Sequence, residues 1–443
     1  MFAIQSAFTA CCLVAATPHV SITQPSGNTI DREVHIQVEQ LKPLQIIEVQ
    51  ATAIDQKGEL WASHAFFQAN VDGLVDVAAQ PPLPESSYNG TDAMGLFWSM
   101  LPISNDSLSS FKCKDEQFIV EFTIRQEDQC IGKETLTYYL KAPHVQRIDV
   151  RENGIIGTLL IPPSEHPLPV IITLSGSNGG LGENRAKLLA SNGFAVLALG
   201  YFGVEGLPSN LADIPLEYFK TAFTWLKQQS LVDASRIGLY GVSRGAELAC
   251  ILGSFFPDSV QAIVAVVPSS VVYSGLGETP VNTWVYHGKP ILPFAPVPQA
   301  DFSDGKGQDS MHPATLRQYF IDGMQQIDAF TAAAIPVENI RCPILLISGG
   351  DDQMWPSDLH AEQILDRLEK NHSSIPCQHL HYPHAGHGIN IPNLPIPEPI
   401  YYHPVGKRWF SMGGTRAADA QASLDSWTKL VVFFHETFDR ESL

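Results

Sequence analysis

Ser243 lies in the stretch Ile237-Gly238-Leu239-Tyr240-Gly241-Val242-Ser243-Arg244-Gly245-Ala246-Glu247. There an apolar run rich in strand formers meets Gly-x-Ser-x-Gly and passes at once into helix formers. A bare Gly-x-Ser-x-Gly turns up by accident in long chains. This one sits between strand and helix, the context of a nucleophile elbow, with Gly241 and Gly245 small enough to let the two approach. Ser243 is therefore the candidate nucleophile, exposed at the carboxyl end of a central strand. Its hydroxyl is a weak nucleophile near neutral pH and needs a base within hydrogen-bond reach, itself oriented by a carboxylate.

In chain order the acid and then the histidine should follow the serine. Leu345-Leu346-Ile347-Ser348-Gly349-Gly350-Asp351-Asp352-Gln353-Met354-Trp355-Pro356 offers two acids. Asp352 is preferred, because it stands three places after the glycine that ends the strand and just before Trp355-Pro356. Asp351 stays the alternative, and otherwise serves as a turn or helix-capping residue. For the base, Tyr382-Pro383-His384-Ala385-Gly386-His387-Gly388 places His387 between glycines that free the loop, with His384 as its competitor. Acyl transfer also needs donors aimed at the developing oxyanion. The backbone N–H of Arg244 is one candidate, and that of Ser177, in the loop Ser175-Gly176-Ser177-Asn178-Gly179-Gly180, is the other.

These loops need a frame to hold them. From about residue 18 to 142 the pattern is all-β: Val34 to Val38, Ile46 to Thr52 and Phe118 to Ile124 alternate apolar with polar, which predicts an antiparallel, immunoglobulin-like sandwich. Near Lys141-Ala142-Pro143-His144 the alternation stops. From 143 to 443 strands alternate with helices: strands near Ile155–Ile161, Val170–Gly176, Phe194–Leu199, Ile237–Gly241, Ala262–Val267, Pro343–Ser348 and Gln378–Tyr382, and helices over Glu183–Asn192, Leu216–Gln229, Ser357–Lys370 and Thr415–Phe438. That order implies an α/β-hydrolase fold with a mostly parallel, doubly wound sheet and chemistry at the strands' carboxyl ends. Residues 268–313 form an insertion with no readable pattern. The aromatic segment Ser87 to Met100 reads first as core, and otherwise as a wall leaning on the second domain's site. The Pro-rich run Ile391 to Pro399 reads as a wall of the site.

A chain of 443 residues, 44% hydrophobic and 16% charged, fits an ordinary two-domain globular protein. Its net charge of −19, from 27 Lys plus Arg against 46 Asp plus Glu, argues against nucleic-acid or anionic-membrane surfaces. Seven cysteines carry no C-x-x-C and no histidine at metal-ligand spacing, so neither a metal nor a redox cofactor is implied. The odd count suits a reducing compartment, here the cytoplasm, although a Cys113–Cys130 disulfide stays open. Residues 1–17 are apolar but too short to span a bilayer, and no Lys or Arg precedes the run. A first strand is the preferred reading over an atypical export signal.

Laid out in order, the chain resembles the acyl-CoA thioesterase and bile acid-CoA:amino acid N-acyltransferase family over nearly its whole length. The resemblance is carried by Ser87-Tyr88, Met94-Gly95-Leu96-Phe97-Trp98-Ser99-Met100, Gly179-Gly180-Leu181, Glu183, Arg185-Ala186, Gly193-Phe194-Ala195, Glu205-Gly206-Leu207-Pro208, Gly245-Ala246-Glu247-Leu248-Ala249 and Gly413-Gly414-Thr415-Arg416-Ala417. It implies a nucleophile, an Asp and a His at Ser243, Asp352 and His387, and an acyl-CoA substrate. Members that conjugate acyl groups to amino acids resemble one another in carrying cysteine at the nucleophile position, so Ser243 implies thioester hydrolysis. A carboxylesterase and an N-acyltransferase are the alternatives. CoA phosphates would need cations at the mouth, and Lys407, Arg408 and Arg416, with Arg244, are the expected ones.

Overall fold

The computed structural model describes residues 18–23, 28–104, 110–276, 280–299, 302–403 and 407–439. Residues 1–17, with their alternative readings as first strand or export signal, lie outside the described residues. The N-terminal part holds two antiparallel sheets. One has three strands in the spatial order His19–Thr23, His35–Glu39, Val75–Asp76, and the other five, in the order Leu101–Pro102, Leu60–Gln68, Ile46–Ile54, Gln117–Gln126, Gln129–Tyr139. Along Ile46–Ile54 buried residues alternate strictly with half-exposed ones, because successive side chains point to opposite faces and only one face meets the other sheet. The Ser87–Met100 segment is core, with Tyr88, Met94, Leu96, Phe97, Trp98 and Met100 all buried.

The second part is an eight-stranded sheet in the order Cys377–Tyr382, Ile344–Gly349, Ala262–Val266, Val232–Val242, Leu168–Leu174, Ala195–Leu199, Ile155–Ile161, Gln146–Glu152. Neighbours run parallel from Cys377–Tyr382 through Ala195–Leu199, and the last two strands pair antiparallel. Its central strands are near-continuous apolar runs because helices cover both faces. Leu216–Leu226, Arg244–Phe255 and Ser357–Lys370 bury against one face, through Ile172, Leu239, Ile263 and Leu346. Glu183–Ser191 and Arg416–Asp439 bury against the other, through Ile171, Val264 and Ile347. This is the doubly wound α/β-hydrolase arrangement behind an N-terminal β-sandwich.

The apolar interior beneath Arg416–Asp439 is continuous with that of the sandwich. Polar ties cross the same join. The buried Asp31 carboxylate accepts from the Asn192 amide at 2.7 Å and the Trp427 indole at 3.1 Å, and Asn393 donates to the Ile30 carbonyl at 2.8 Å. The Pro-rich run therefore packs between the two parts, with Ile391, Leu394 and Ile396 against the shared interior, and does not wall the site. Cys113 and Cys130 are free thiols, so the disulfide left open by the sequence is not formed. The insertion after Pro268 contributes the short strands Trp284–Tyr286 and Lys289–Pro290 and leads into the helices Arg317–Met324 and Ile327–Ala332. Among the described residues no helix is long and apolar enough to cross a membrane.

Candidate active site

Val232–Val242 ends directly at Ser243, and Arg244 opens the following helix. The turn holds Ser243 at φ 57° and ψ −120°, a region that costs a non-glycine residue about 1–3 kcal/mol and persists only where its surroundings impose it. Two glycines impose it. A Cβ on Gly241 would meet the Gly245 carbonyl oxygen at 2.1 Å, and one on Gly245 would meet that of Leu174 at 2.3 Å. The Ser243 N–H donates to Val266 at 2.9 Å, which fixes the elbow to the neighbouring strand.

His387 Nε2 lies 3.1 Å from Ser243 Oγ, and His387 Nδ1 lies 2.8 Å from Asp352 Oδ2. Asp352 is fully buried. Its Oδ1 accepts the N–H groups of Met354 and Trp355, and its Oδ2 also accepts the Ser357 hydroxyl at 2.7 Å. With both oxygens already accepting from these donors, Oδ2 is placed to accept Nδ1–H as well. The Nε2 lone pair is then directed at the serine hydroxyl. Asp351 takes another part: it is exposed, and its Oδ2 accepts the Gly414 N–H at 2.9 Å. His384 is exposed, and it is His387 that reaches Ser243.

The Gly413-Gly414 turn braces both loops. A Cβ on Gly386 would meet the Gly413 carbonyl oxygen at 2.1 Å, and the His387 N–H donates to Met412 at 2.8 Å. Behind them stands Asp419, which the sequence reading missed. It is buried, accepts the Gly386 N–H at 2.8 Å, and burial pushes its carboxyl up to about 7. The signal was present: Asp419, Ser423, Ser426, Trp427, Leu430 and Phe434 share the helix's buried stripe, and a carboxylate on such a stripe has a structural partner.

Ser243 and His387 face two cavities. One, of about 360 Å³, is lined chiefly by apolar side chains, among them Tyr273, Leu276, Phe320, Met354, Trp355 and Phe410. The other, of about 290 Å³, has a mixed lining in which Asn178, Arg185, Asn390 and Tyr401 stand beside glycines and Val242, Ile389 and Met412. Ser177 lines both. Its loop passes against the nucleophile, since a Cβ on Gly176 would come 3.3 Å from Ser243 Cβ. The Ser177 hydroxyl lies 3.1 Å from Nε2 of His403, a buried residue of the apolar cavity's lining that was not among the sequence candidates.

The expected cations divide. Lys407 and Arg408 sit on the hairpin Ile400–His403/Arg408–Ser411, whose His403 and Phe410 line the apolar cavity. Lys407 is exposed, and the Arg408 guanidinium lies 4.3 Å from the Phe302 ring centroid. Arg416 is turned inward, contrary to expectation. Its guanidinium donates to the carbonyls of Ile396 (2.6 Å), Trp98 (3.2 Å) and Met100 (3.0 Å), because it caps the join between sandwich and sheet. The Arg244 side chain is likewise withdrawn. It is buried, donates to Tyr273 and Thr283, and pairs at 2.8 Å with Glu247, whose carboxyl burial pushes up to about 7. Its side chain is therefore no cation of the mouth.

A consequence is testable at Arg416. Arg416→Met leaves buried carbonyls without their charged donor, which costs about 1–3 kcal/mol per unsatisfied group. The melting temperature falls, while KM for a CoA ester stays near that of the parent protein. A raised KM with an unaltered melting temperature would return Arg416 to the substrate.

The comparisons with known proteins agree with one another. The chain matches the family described as acyl-CoA thioester hydrolase/BAAT N-terminal region over residues 31–152, and that described as BAAT / acyl-CoA thioester hydrolase C terminal over residues 214–440. Acyl-coenzyme A thioesterase 6 of Mus musculus is 33% identical over 427 residues, covering 94% of this chain and 96% of its own. Acyl-coenzyme A thioesterase 1 of Mus musculus is 33% identical over 428 residues, covering 95% and 97%. The peroxisomal succinyl-coenzyme A thioesterase of Mus musculus is 31% identical over 419 residues, covering 93% and 95%.

Proposed function

Since the chain belongs to the acyl-CoA thioester hydrolase and bile acid-CoA:amino acid N-acyltransferase family, we propose that it hydrolyses acyl-CoA thioesters to free acid and CoA. The reading rests on one observation above all, the hydrogen-bonded line from Ser243 through His387 to buried Asp352. In this proposal Ser243 Oγ attacks the thioester carbonyl while His387 Nε2 takes its proton. The Arg244 and Ser177 N–H groups meet the oxyanion. Collapse of the tetrahedral intermediate breaks the carbon–sulfur bond, and the imidazolium returns the proton to the departing thiolate. Water, deprotonated by His387, then attacks the acyl-serine ester and frees Ser243. Asp352 holds one tautomer throughout and stabilises each imidazolium.

Water is the natural acceptor in this scheme. An acyl-serine ester is less reactive toward amines than an acyl-cysteine thioester. Lys407 and Arg408, on the hairpin at the apolar cavity, are the proposed partners of CoA's phosphates. The proposed compartment is the cytoplasm, a reducing one in keeping with the free cysteines.

Turnover of palmitoyl-CoA, a short acyl-CoA and p-nitrophenyl acetate tests the proposal. The expected order of kcat/KM puts a CoA ester first. A clear preference for p-nitrophenyl acetate would make the protein a small-ester hydrolase, and amide formation with glycine or taurine outpacing hydrolysis would make it a transferase.

A further inference from the structure

Two cavities of different lining meet at one nucleophile, and a thioester has two ends. The larger cavity offers aromatic and aliphatic walls. Its depth can be read from ring contacts: His387 touches Trp355 at 5.8 Å between centroids, Trp355 touches Phe320 at 6.0 Å, and Phe320 meets Tyr273 at 4.8 Å. Phe320 thus lies one ring beyond Trp355 from the reacting atoms. Tyr273 is pinned there, its hydroxyl 3.0 Å from His360 Nε2. Such a surface suits a hydrocarbon chain, which gains about 25 cal/mol per Å² on leaving water.

The smaller cavity adds side-chain amides and a guanidinium to an apolar lining of Val242, Met354, Ile389 and Met412. Arg147, Arg236, Arg317, Arg341 and Arg367 are each paired with a carboxylate. Arg185 is not: among the described residues no carboxylate pairs with it, its shielded Nε has no hydrogen-bond partner, and its side chain hydrogen-bonds the buried Tyr240 phenol. It lines the cavity together with Asn178, Asn390 and Tyr401, beside Ser243 and His387. A guanidinium held by one phenol and no carboxylate keeps further N–H donors for an acceptor-bearing ligand, and a charged donor makes the stronger hydrogen bond.

We propose that the substrate lies across both cavities, with the acyl chain against Phe320 and the amide-bearing arm of the departing thiol in the smaller cavity, where Arg185 donates to an amide carbonyl. The assignment rests on the thioesterase reading and extends it by giving each end of the substrate its own site and specificity residue. The pantetheine portion of CoA carries two secondary amides close to its sulfur. Their carbonyls meet Arg185 and their N–H groups meet the oxygens of Asn178, Asn390 or Tyr401. Bond cleavage then separates two products already lodged in different places.

The test uses the full chain and three substrates sharing one acyl group: hexanoyl-CoA, the hexanoyl thioester of N-acetylcysteamine, and p-nitrophenyl hexanoate, whose leaving group has no amide. Arg185→Gln lowers the ratio of kcat/KM for hexanoyl-CoA to that for p-nitrophenyl hexanoate by about 10- to 100-fold, the worth of a hydrogen bond from a charged group. The N-acetylcysteamine ester, which keeps one amide, falls between, and Arg185→Lys recovers part of the loss. Phe320→Ala instead lengthens the preferred acyl chain on CoA and p-nitrophenyl esters alike. Melting curves exclude a folding defect. A ratio unmoved by Arg185→Gln, or a chain-length shift caused by it, would overturn the partition. A parent protein that cleaves only the p-nitrophenyl ester would instead overturn the thioesterase reading.

Discussion

Ser243→Ala lowers kcat for acyl-CoA hydrolysis by about 10⁵- to 10⁶-fold, the scale on which hydrolases that use a serine nucleophile lose activity when it is removed. The variant should keep its fold, since alanine removes only the hydroxyl that His387 contacts at 3.1 Å. Two readouts are decisive. Steady-state turnover falls to the level left by binding and oxyanion donors alone. A slowly deacylating CoA ester adds its acyl mass to the parent protein and none to the variant, because the covalent intermediate needs Oγ. Retention of more than about a hundredth of kcat would place the nucleophile elsewhere.

Asp352→Asn is the second large effect, with an expected loss in kcat of about 10⁴-fold. An amide at 352 can present its N–H₂ to His387 Nδ1, which turns the imidazole to the tautomer whose Nε2 bears a proton and cannot accept one from Ser243. Asp351→Asn provides the control. Its side-chain oxygen can still accept from Gly414, and it touches neither Ser243 nor His387, so kcat changes by less than about threefold. Equal losses at both positions would mean that the loop, and not the charge on Asp352, was what the substitution disturbed.

The reacting residues were legible because strong local signals surround them. The strands that lead to Ser243 and Asp352 are apolar runs closed by glycine, and the helix read over Ser357–Lys370 has those bounds in the structure. The last helix, Arg416–Asp439, differs from its reading by one residue at each end. Asp352 over Asp351 was a choice by spacing, and burial separates the two: one faces the interior and four donors, the other faces water.

What stayed hidden depends on contacts between distant segments. Gln146–Glu152 is almost wholly exposed, so no alternation betrays it as the sheet's edge strand. Arg317–Met324 is short and buries little of its own surface, yet it delivers Phe320 to the cavity. Arg416 looked like a mouth cation because charge alone gives no direction. Only its three carbonyl partners, two of them more than 300 residues away, turn it inward.

The unbroken interior that joins the sandwich to the underside of the hydrolase sheet constrains what can be done with this chain. The helix Arg416–Asp439 begins at the brace behind His387 and continues over apolar side chains held in common with the N-terminal sheets. Neither half could be exchanged for a foreign module without exposing greasy surface to water and loosening the histidine's support. The N-terminal sheets contribute no reacting atom, yet they act as part of the machine's chassis.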